Sequence, residues 1–315
     1  MGGHAGLGPV LHRLRQHRGS RLLTRGGARR RHGLSEPVHA AGQCRARFAS
    51  PPARERGNVR HRHRGHVLAA GAAGAGVRQA FHFPDFAAGL EAIRETVRQG
   101  WRPPVVRLYD GRESWRHFRD RLPKGDAMLI FLHEGPPGVA PLEADAVAGL
   151  CRSHGGTAAA SEAVDGWFEH RNTVPDWDEL LRQGVVADTI EVATEWSRLP
   201  ALYRGVIDAL EAVPGVVAAS AHSSHAYRSG ANLYFTVAAT PADPADNTTV
   251  YDACWAAAME ATASAGAGLA HHHGIGRVRR PWMATELGDG GLELLRWVKA
   301  AVDPAGLMNP GVLIP

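Results

Sequence analysis

Val216-Val217-Ala218-Ala219-Ser220-Ala221-His222-Ser223-Ser224-His225-Ala226-Tyr227-Arg228-Ser229-Gly230-Ala231-Asn232-Leu233-Tyr234-Phe235-Thr236-Val237-Ala238-Ala239 reads as two strands joined at Arg228-Ser229-Gly230, a short turn that glycine permits. In the second strand Ala231, Leu233, Phe235 and Val237 are apolar, while Asn232, Tyr234 and Thr236 share the other face, because strand side chains alternate. One side is expected to pack on helices and the other to present an amide, a phenol and a hydroxyl. In the first strand His225 and Tyr227 are expected to fall together on one face.

Upstream, strands and helices alternate. Phe81-His82-Phe83 is a short strand, and Pro84-Asp85 opens a helix with Phe86, Leu90, Ile93 and Val97 at helical spacing, stopped by Gly100. Strands follow at Pro104 to Tyr109, Met128 to Leu132 and Thr189 to Ala193. Helices are predicted from Pro141 to His154 and along Leu199, Leu202, Val206, Leu210 and Val213. Arg107 lies between Val106 and Leu108, which should face inward, so it either points to a cleft or stands in water on an edge strand. Trp167-Phe168-Glu169-His170-Arg171-Asn172 is a dense aromatic and polar cluster ahead of a loop. Downstream, helices are predicted from Asn247 to Ala265 and along Leu292, Leu295, Val298 and Val302, the last ended by Asp303-Pro304. Alternating strands and helices with one hairpin predict an α+β fold, an antiparallel sheet with flanking helices.

Between those two helices stands Ala270-His271-His272-His273-Gly274-Ile275-Gly276-Arg277-Val278-Arg279-Arg280. Imidazole exchanges protons near neutral pH, and the arginines supply fixed cations for an anionic group such as phosphate. If the triplet is extended, His271 and His273 share one face and His272 takes the other. Adjacent imidazoles then do not easily converge on one ion. With no Cys-x-x-Cys or His-Glu-x-x-His partner, no metal site is expected.

An apolar share of 44% in 315 residues is enough for a real core. No charge-free apolar run is long enough for a membrane span. Three scattered cysteines, Cys44, Cys151 and Cys254, point to a reducing compartment and a cytoplasmic location. The formal charge of +5 collects in the first quarter. Residues 1–80 hold no Lys, Asp, Ile, Tyr or Trp, and Arg and His recur in tracts such as Arg60-His61-Arg62-His63-Arg64. Residues 1–78 are therefore expected to be disordered. Their composition is that of G- and C-rich codons translated out of register. A solvated, polyanion-binding basic tail is the alternative. Residues 79–315 form the ordered domain.

Ser224-His225-Ala226-Tyr227, Gly230, Leu233-Tyr234-Phe235, His271-His272-His273-Gly274-Ile275-Gly276, and Asp303-Pro304 with Asn309-Pro310-Gly311 together resemble the C-terminal domain of FAD-linked oxidases, in the vanillyl-alcohol oxidase superfamily. Within it the triple histidine followed by Gly-x-Gly and Arg is similar to the alkyldihydroxyacetone-phosphate (alkylglycerone-phosphate) synthase family. The resemblance implies a ferredoxin-like cap domain over FAD. It implies Tyr234 and His271, His272 and His273 as catalytic residues, with Arg107, Arg171, Asn232 and Arg277 on the substrate and His273 and Asn309 at the flavin. The implied reaction exchanges the acyl chain of acyl-dihydroxyacetone phosphate for a fatty alcohol in ether-lipid synthesis. The substrate is then small or lipid-like, with room for a peripheral membrane contact and a homodimer, and no specific nucleic-acid partner is expected.

Pro175 to Glu179 holds no arginine where the synthases carry one, so Arg171 is taken as its substitute, and an FAD-dependent dehydrogenase of 2-hydroxy acids such as lactate or glycolate is the second reading. A non-catalytic polyanion binder acting through the basic tail is the third. The family's FAD-binding domain precedes the cap and nothing in residues 1–80 matches it, so the chain is expected to lack most of its flavin site. The reading also requires the Tyr234 hydroxyl to lie within about 15 Å of the histidine rings, on the same side of the sheet.

Overall fold

The computed structural model of the chain describes residues 76–173 and 176–315; the expectations for residues 1–75, and the Pro175 end of the Pro175 to Glu179 reading, lie outside the described residues. Strands β1 (Val77–Phe83), β2 (Val105–Tyr109), β3 (Ala127–His133), β4 (Thr157–Ala159), β5 (Val186–Glu195), β6 (Val216–Ser223) and β7 (Gly230–Ala239) make one sheet. Its order is β4-β1-β3-β2-β6-β7-β5, and every adjacent pair is antiparallel. The eight α-helices among the described residues are α1 (Phe86–Arg98), α2 (Gly111–Phe118), α3 (Val139–Ser153), α4 (Glu162–His170), α5 (Trp177–Arg182), α6 (Leu199–Glu211), α7 (Asn247–Ser264) and α8 (Met283–Val302). The expected α+β architecture is the one observed, and no helix of the described residues is long and apolar enough to cross a membrane.

Local chemistry accounts for the element ends. The Asp85 side chain accepts from the Ala88 amide and caps α1, as its place after Pro84 predicts. The short elements α2, β4, α4 and α5 escape prediction because they carry few apolar residues or run less than three turns. The Trp167 cluster forms the end of α4 through His170 and the turn that follows it, ahead of the loop as expected. Strand β6 ends at Ser223, so His225 and Tyr227 belong to a connection spanning residues 224–229 and not to a strand face. The stripe expected to bury α8 does so only at Leu292; Val298 and Val302 are exposed.

The two faces of the sheet are covered unequally. On one face Phe83, Phe131, Ala221, Leu233, Phe235 and Ile190 meet α1, α3, α6 and α7 across the full width, in the main core. Each such aromatic or leucine stabilises the fold by roughly 1.5–3 kcal/mol through area removed from water. On the other face a smaller core of Ala80, Tyr109, Met128, Ile130, Phe118, Leu122 and Val164 sits under α2 and α4. It covers the β1, β3 and β2 side, while on β6, β7 and β5 the same face carries Ser220, His222, Asn232, Tyr234, Thr236, Thr189 and Glu191.

The two halves of the sheet meet along a short seam. Strand β2 pairs with β6 only at Leu108 opposite Ser223 and Tyr109 opposite His222. Beyond it Asp110 donates its amide to the Ala221 carbonyl at 2.9 Å, and its carboxylate accepts the Ala221 amide at 2.7 Å. A side chain thus supplies the next rung of the ladder. Gly111, the first residue of α2, lies so close to the loop before β3 that a Cβ there would be 2.1 Å from the Gly125 carbonyl oxygen. Gly111→Ala is expected to cost about 1–3 kcal/mol by overpacking against backbone that cannot yield; urea denaturation midpoints of the two proteins check it.

Candidate functional site

A row of side chains runs across the polar half-face. Glu191 on β5 is opposite Tyr234 on β7, Tyr234 is opposite His222 on β6, and His222 is opposite Tyr109 on β2. Antiparallel partners directly opposite point to the same side, so strand register alone assembles the row. The Tyr234 and His222 rings stack at 4.8 Å, and the Tyr234 hydroxyl donates to Thr189 Oγ1 at 2.9 Å.

His222 is held at both nitrogens. Its Nδ1 is 3.0 Å from the buried Glu113 carboxylate, and its Nε2 is 2.8 Å from Arg107 Nη2. Arg107 Nε donates to the Tyr109 hydroxyl at 2.9 Å. Burial, partly offset by the Arg107 guanidinium, pushes the Tyr109 phenol up to about 12, so it stays protonated. Arg107 therefore faces the polar side among Tyr109, His222 and Trp167, the first of the two places its position between Val106 and Leu108 allows. The Arg107 and Arg171 guanidiniums lie 5.4 and 5.2 Å from the Trp167 ring centroid, and this indole brings the two cations into one neighbourhood.

The histidine triplet is a bend and not a strand, so its rings are not split between faces as an extended chain would split them. All three gather on Glu191, which is 1% exposed. His271 Nδ1 is 3.1 Å from Oε1, and the Nε2 atoms of His272 and His273 are 3.6 and 3.4 Å from Oε2. Asn232 Nδ2 donates to Oε1 at 2.6 Å, and its own Oδ1 accepts the amides of Ser224 and His225 at 2.9 Å. One amide thus ties the hairpin connection to β5. Burial alone would raise the Glu191 carboxyl, but hydrogen bonds from His271 and Asn232 and the nearby His272 and His273 outweigh it and hold the group at about 2. Burial, then His272 and His271, bring the His225 ring down to about 4.

Tyr234 meets this cluster through His273, the rings standing edge to face at 5.5 Å. Tyr234, His271, His272, His273, Asn232 and Arg107 therefore come together on one side of the sheet, with Arg171 joined through Trp167. Arg277 and Asn309 stand apart. Arg277 donates to the Pro310 carbonyl at 3.3 Å and Arg280 to that of Gly311 at 3.1 Å, so these cations fasten the C-terminal tail to the loop after the triplet. Arg279 is likewise engaged within the loop. It is buried over the Trp255 ring, and its guanidinium donates to the Gly274 carbonyl. The residues that sequence reasoning passed over are Glu191, Glu113 and His222. The first carries the same signal as Arg107, a charge between two large aliphatic residues of a strand.

Residues 76–313 match the family described as FAD linked oxidases, C-terminal domain, and the chain belongs to that family. FAD is the family's cofactor. The uncharacterized FAD-linked oxidoreductase YgcU of Escherichia coli (strain K12) is 30% identical over 246 residues, 73% of this chain and 50% of that protein. The alkyldihydroxyacetonephosphate synthase of Trypanosoma brucei brucei is 26% identical over 262 residues, 74% of this chain and 43% of that protein. Among solved structures, an alkyldihydroxyacetonephosphate synthase aligns with TM-score 0.55 at 19% identity, over 76% of this chain and 45% of that one. A p-cresol methylhydroxylase with bound substrate aligns with TM-score 0.50 at 14% identity, over 76% of this chain and 53% of that one. At these identities the structural likeness is one of fold. The chain spans about half the length of the curated relatives it matches.

The polar half-face suits the ring end of FAD, with flat imidazole and phenol surfaces beside hydrogen-bond donors. The described residues carry no Gly-x-Gly-x-x-Gly turn between a strand and a helix, so that fit concerns the ring and not the pyrophosphate.

Proposed function

We propose that this chain supplies the substrate side of a flavin-dependent enzyme of the alkyldihydroxyacetone-phosphate synthase type. The observation that carries the proposal is the convergence of Tyr234, His222, Arg107 and the three histidines on one polar half-face of the sheet. Similarity to the synthases over nearly three quarters of the chain supports it. Bound FAD would supply the electron sink next to the substrate carbon. Tyr234, with its hydroxyl already oriented by Thr189, is the group proposed to move the proton at that carbon. His273 touches the Tyr234 ring edge, and the Glu191 cluster fixes its position. Arg107 and Arg171 are proposed to hold the substrate's anionic head group, a task that suits forked guanidinium donors.

Two buried free thiols, Cys151 and Cys254, support the reducing, cytoplasmic setting that is part of the same proposal. The test is alkyl exchange by a fusion in which residues 76–315 replace the matching C-terminal half of an alkyldihydroxyacetonephosphate synthase, supplied with FAD. Labelled fatty alcohol is expected to enter alkyl-dihydroxyacetone phosphate with no net bleaching of the flavin. Bleaching by lactate or glycolate without exchange would instead assign the chain to the 2-hydroxy-acid dehydrogenases.

A further inference from the structure

We propose that Glu191, His225, His271 and His272 form a binding site for one divalent transition-metal ion of the zinc class. One donor atom from each of the four lies within 4.8 Å of every other. Tetrahedral zinc with bonds of about 2.0–2.2 Å sets its donors about 3.4 Å apart. Metal uptake therefore requires the four side chains to draw together. Three imidazoles and one carboxylate are the donor set zinc takes, whereas magnesium and calcium require oxygens throughout.

Three features make this a built site and not a chance cluster. Glu191 Oε2 is buried and accepts no hydrogen bond among the described residues, yet it faces the His272 and His273 rings. An anionic oxygen left in that state is costly unless a cation completes it. The outer partners are also in place. Asn232 Nδ2 donates to Glu191 Oε1 at 2.6 Å, and the Tyr227 hydroxyl is 2.8 Å from His271 Nε2, which leaves Nδ1 turned to the carboxylate. Finally, the His225 ring stands 5.1 and 4.8 Å from those of His271 and His272, and His225 and His272 are exposed, so an ion has a way in. The expectation that a histidine triplet cannot gather on one ion assumed an extended chain; the bend at residues 271–273 removes that obstacle. Neither the flavin nor the exchange reaction enters this inference, so it stands or falls separately from the proposed function.

The test uses the full-length, tag-free chain, stripped with a chelator and titrated with Zn²⁺ and separately with Co²⁺. One ion per chain is expected, with Co²⁺ giving the intense visible bands of a four-coordinate centre. His225→Gln and His272→Gln change exposed residues and are each expected to weaken Zn²⁺ binding at least about tenfold. His170→Gln, an exposed histidine on α4, should leave it unchanged. Circular dichroism confirms that each variant is folded. The histidines at positions 4–66 are the rival ligands. Undiminished binding in the His225→Gln, His272→Gln double variant would assign the ion to them and overturn the proposal, as would failure of the unaltered chain to take up a stoichiometric ion.

Discussion

Glu191→Ala is expected to lower the stability of the metal-free chain by about 3–5 kcal/mol at neutral pH, the cost of removing one partner from a buried charged network. The carboxylate is the shared acceptor for Asn232 and His271 and the counter-charge for His272 and His273. Without it the fully buried Asn232 amide loses its acceptor on β5, and the imidazoles lose the carboxylate on which they gather. Glu191→Gln should cost less, because its carbonyl oxygen still accepts one of the two bonds. The pH dependence has a definite sign. A carboxyl at about 2 in the fold and 4.5 in the unfolded chain stabilises fully above pH 4.5, and that contribution is lost as pH falls toward 2. The shift corresponds to roughly 3 kcal/mol. His225 acts in the same direction at higher pH. Its ring is brought down from 6.5 to about 4, so its contribution fades as pH falls through that window. Urea denaturation in chelator at several pH values should show the native protein weakening from about pH 6 downward, and the alanine variant following a flatter acid limb. A loss below 1 kcal/mol at pH 7 would mean that the histidines, and not Glu191, organise the cluster.

Asp110→Ala is expected to cost about 3 kcal/mol and to open the seam between the two halves of the sheet. Its carboxylate accepts the Glu113 amide at 2.8 Å, the Ala221 amide at 2.7 Å and the Tyr203 hydroxyl at 3.1 Å. It thus caps α2, completes the short β2 and β6 ladder and ties in α6. Burial raises the Asp110 carboxyl above its ordinary range despite these donors, so its acceptor geometry matters more than its charge. Asp110→Asn should therefore retain part of the stability, keeping one of the two amide bonds. Because Glu113 and Ala221 flank the His222 pair, the alanine variant should also free Arg107 from His222. Amide exchange at Ala221 and His222 should accelerate in it, and unchanged protection there would show that the two ladder pairs hold the seam unaided.

The legible parts of the fold were those where period and burial agree. Leu233 and Phe235 face the main core and Asn232 and Tyr234 the open side; each residue's neighbours along the strand reveal which side it takes. Arg107 was visible for the same reason. The histidine triplet was visible as composition, but its shape was not. A bend between two glycine-rich segments depends on Glu191, which lies 80 positions away from His271 in the chain, and no local pattern reports such a partner. Helices α2 and α4 were missed because their charged residues serve tertiary contacts; Glu113 is a buried partner of His222, not a solvated face. The arginines after the triplet were visible as charge, but their backbone partners, the carbonyls of Gly274, Pro310 and Gly311, were not.

The unequal covering of the sheet separates two kinds of inheritance. Residues pointing toward α1, α3, α6 and α7 must keep their volumes, since a lost methylene there is felt through the whole interior. Their immediate neighbours along β5, β6 and β7 answer to polar partners instead: Asn232 and Glu191 are as buried as the core, but hydrogen bonds and not volume hold them. A lineage can therefore exchange the half-buried Tyr234 or Thr236 on the polar side while the scaffold beneath persists, whereas Asn232 and Glu191 can change only together, and chemistry can diverge on one and the same sheet.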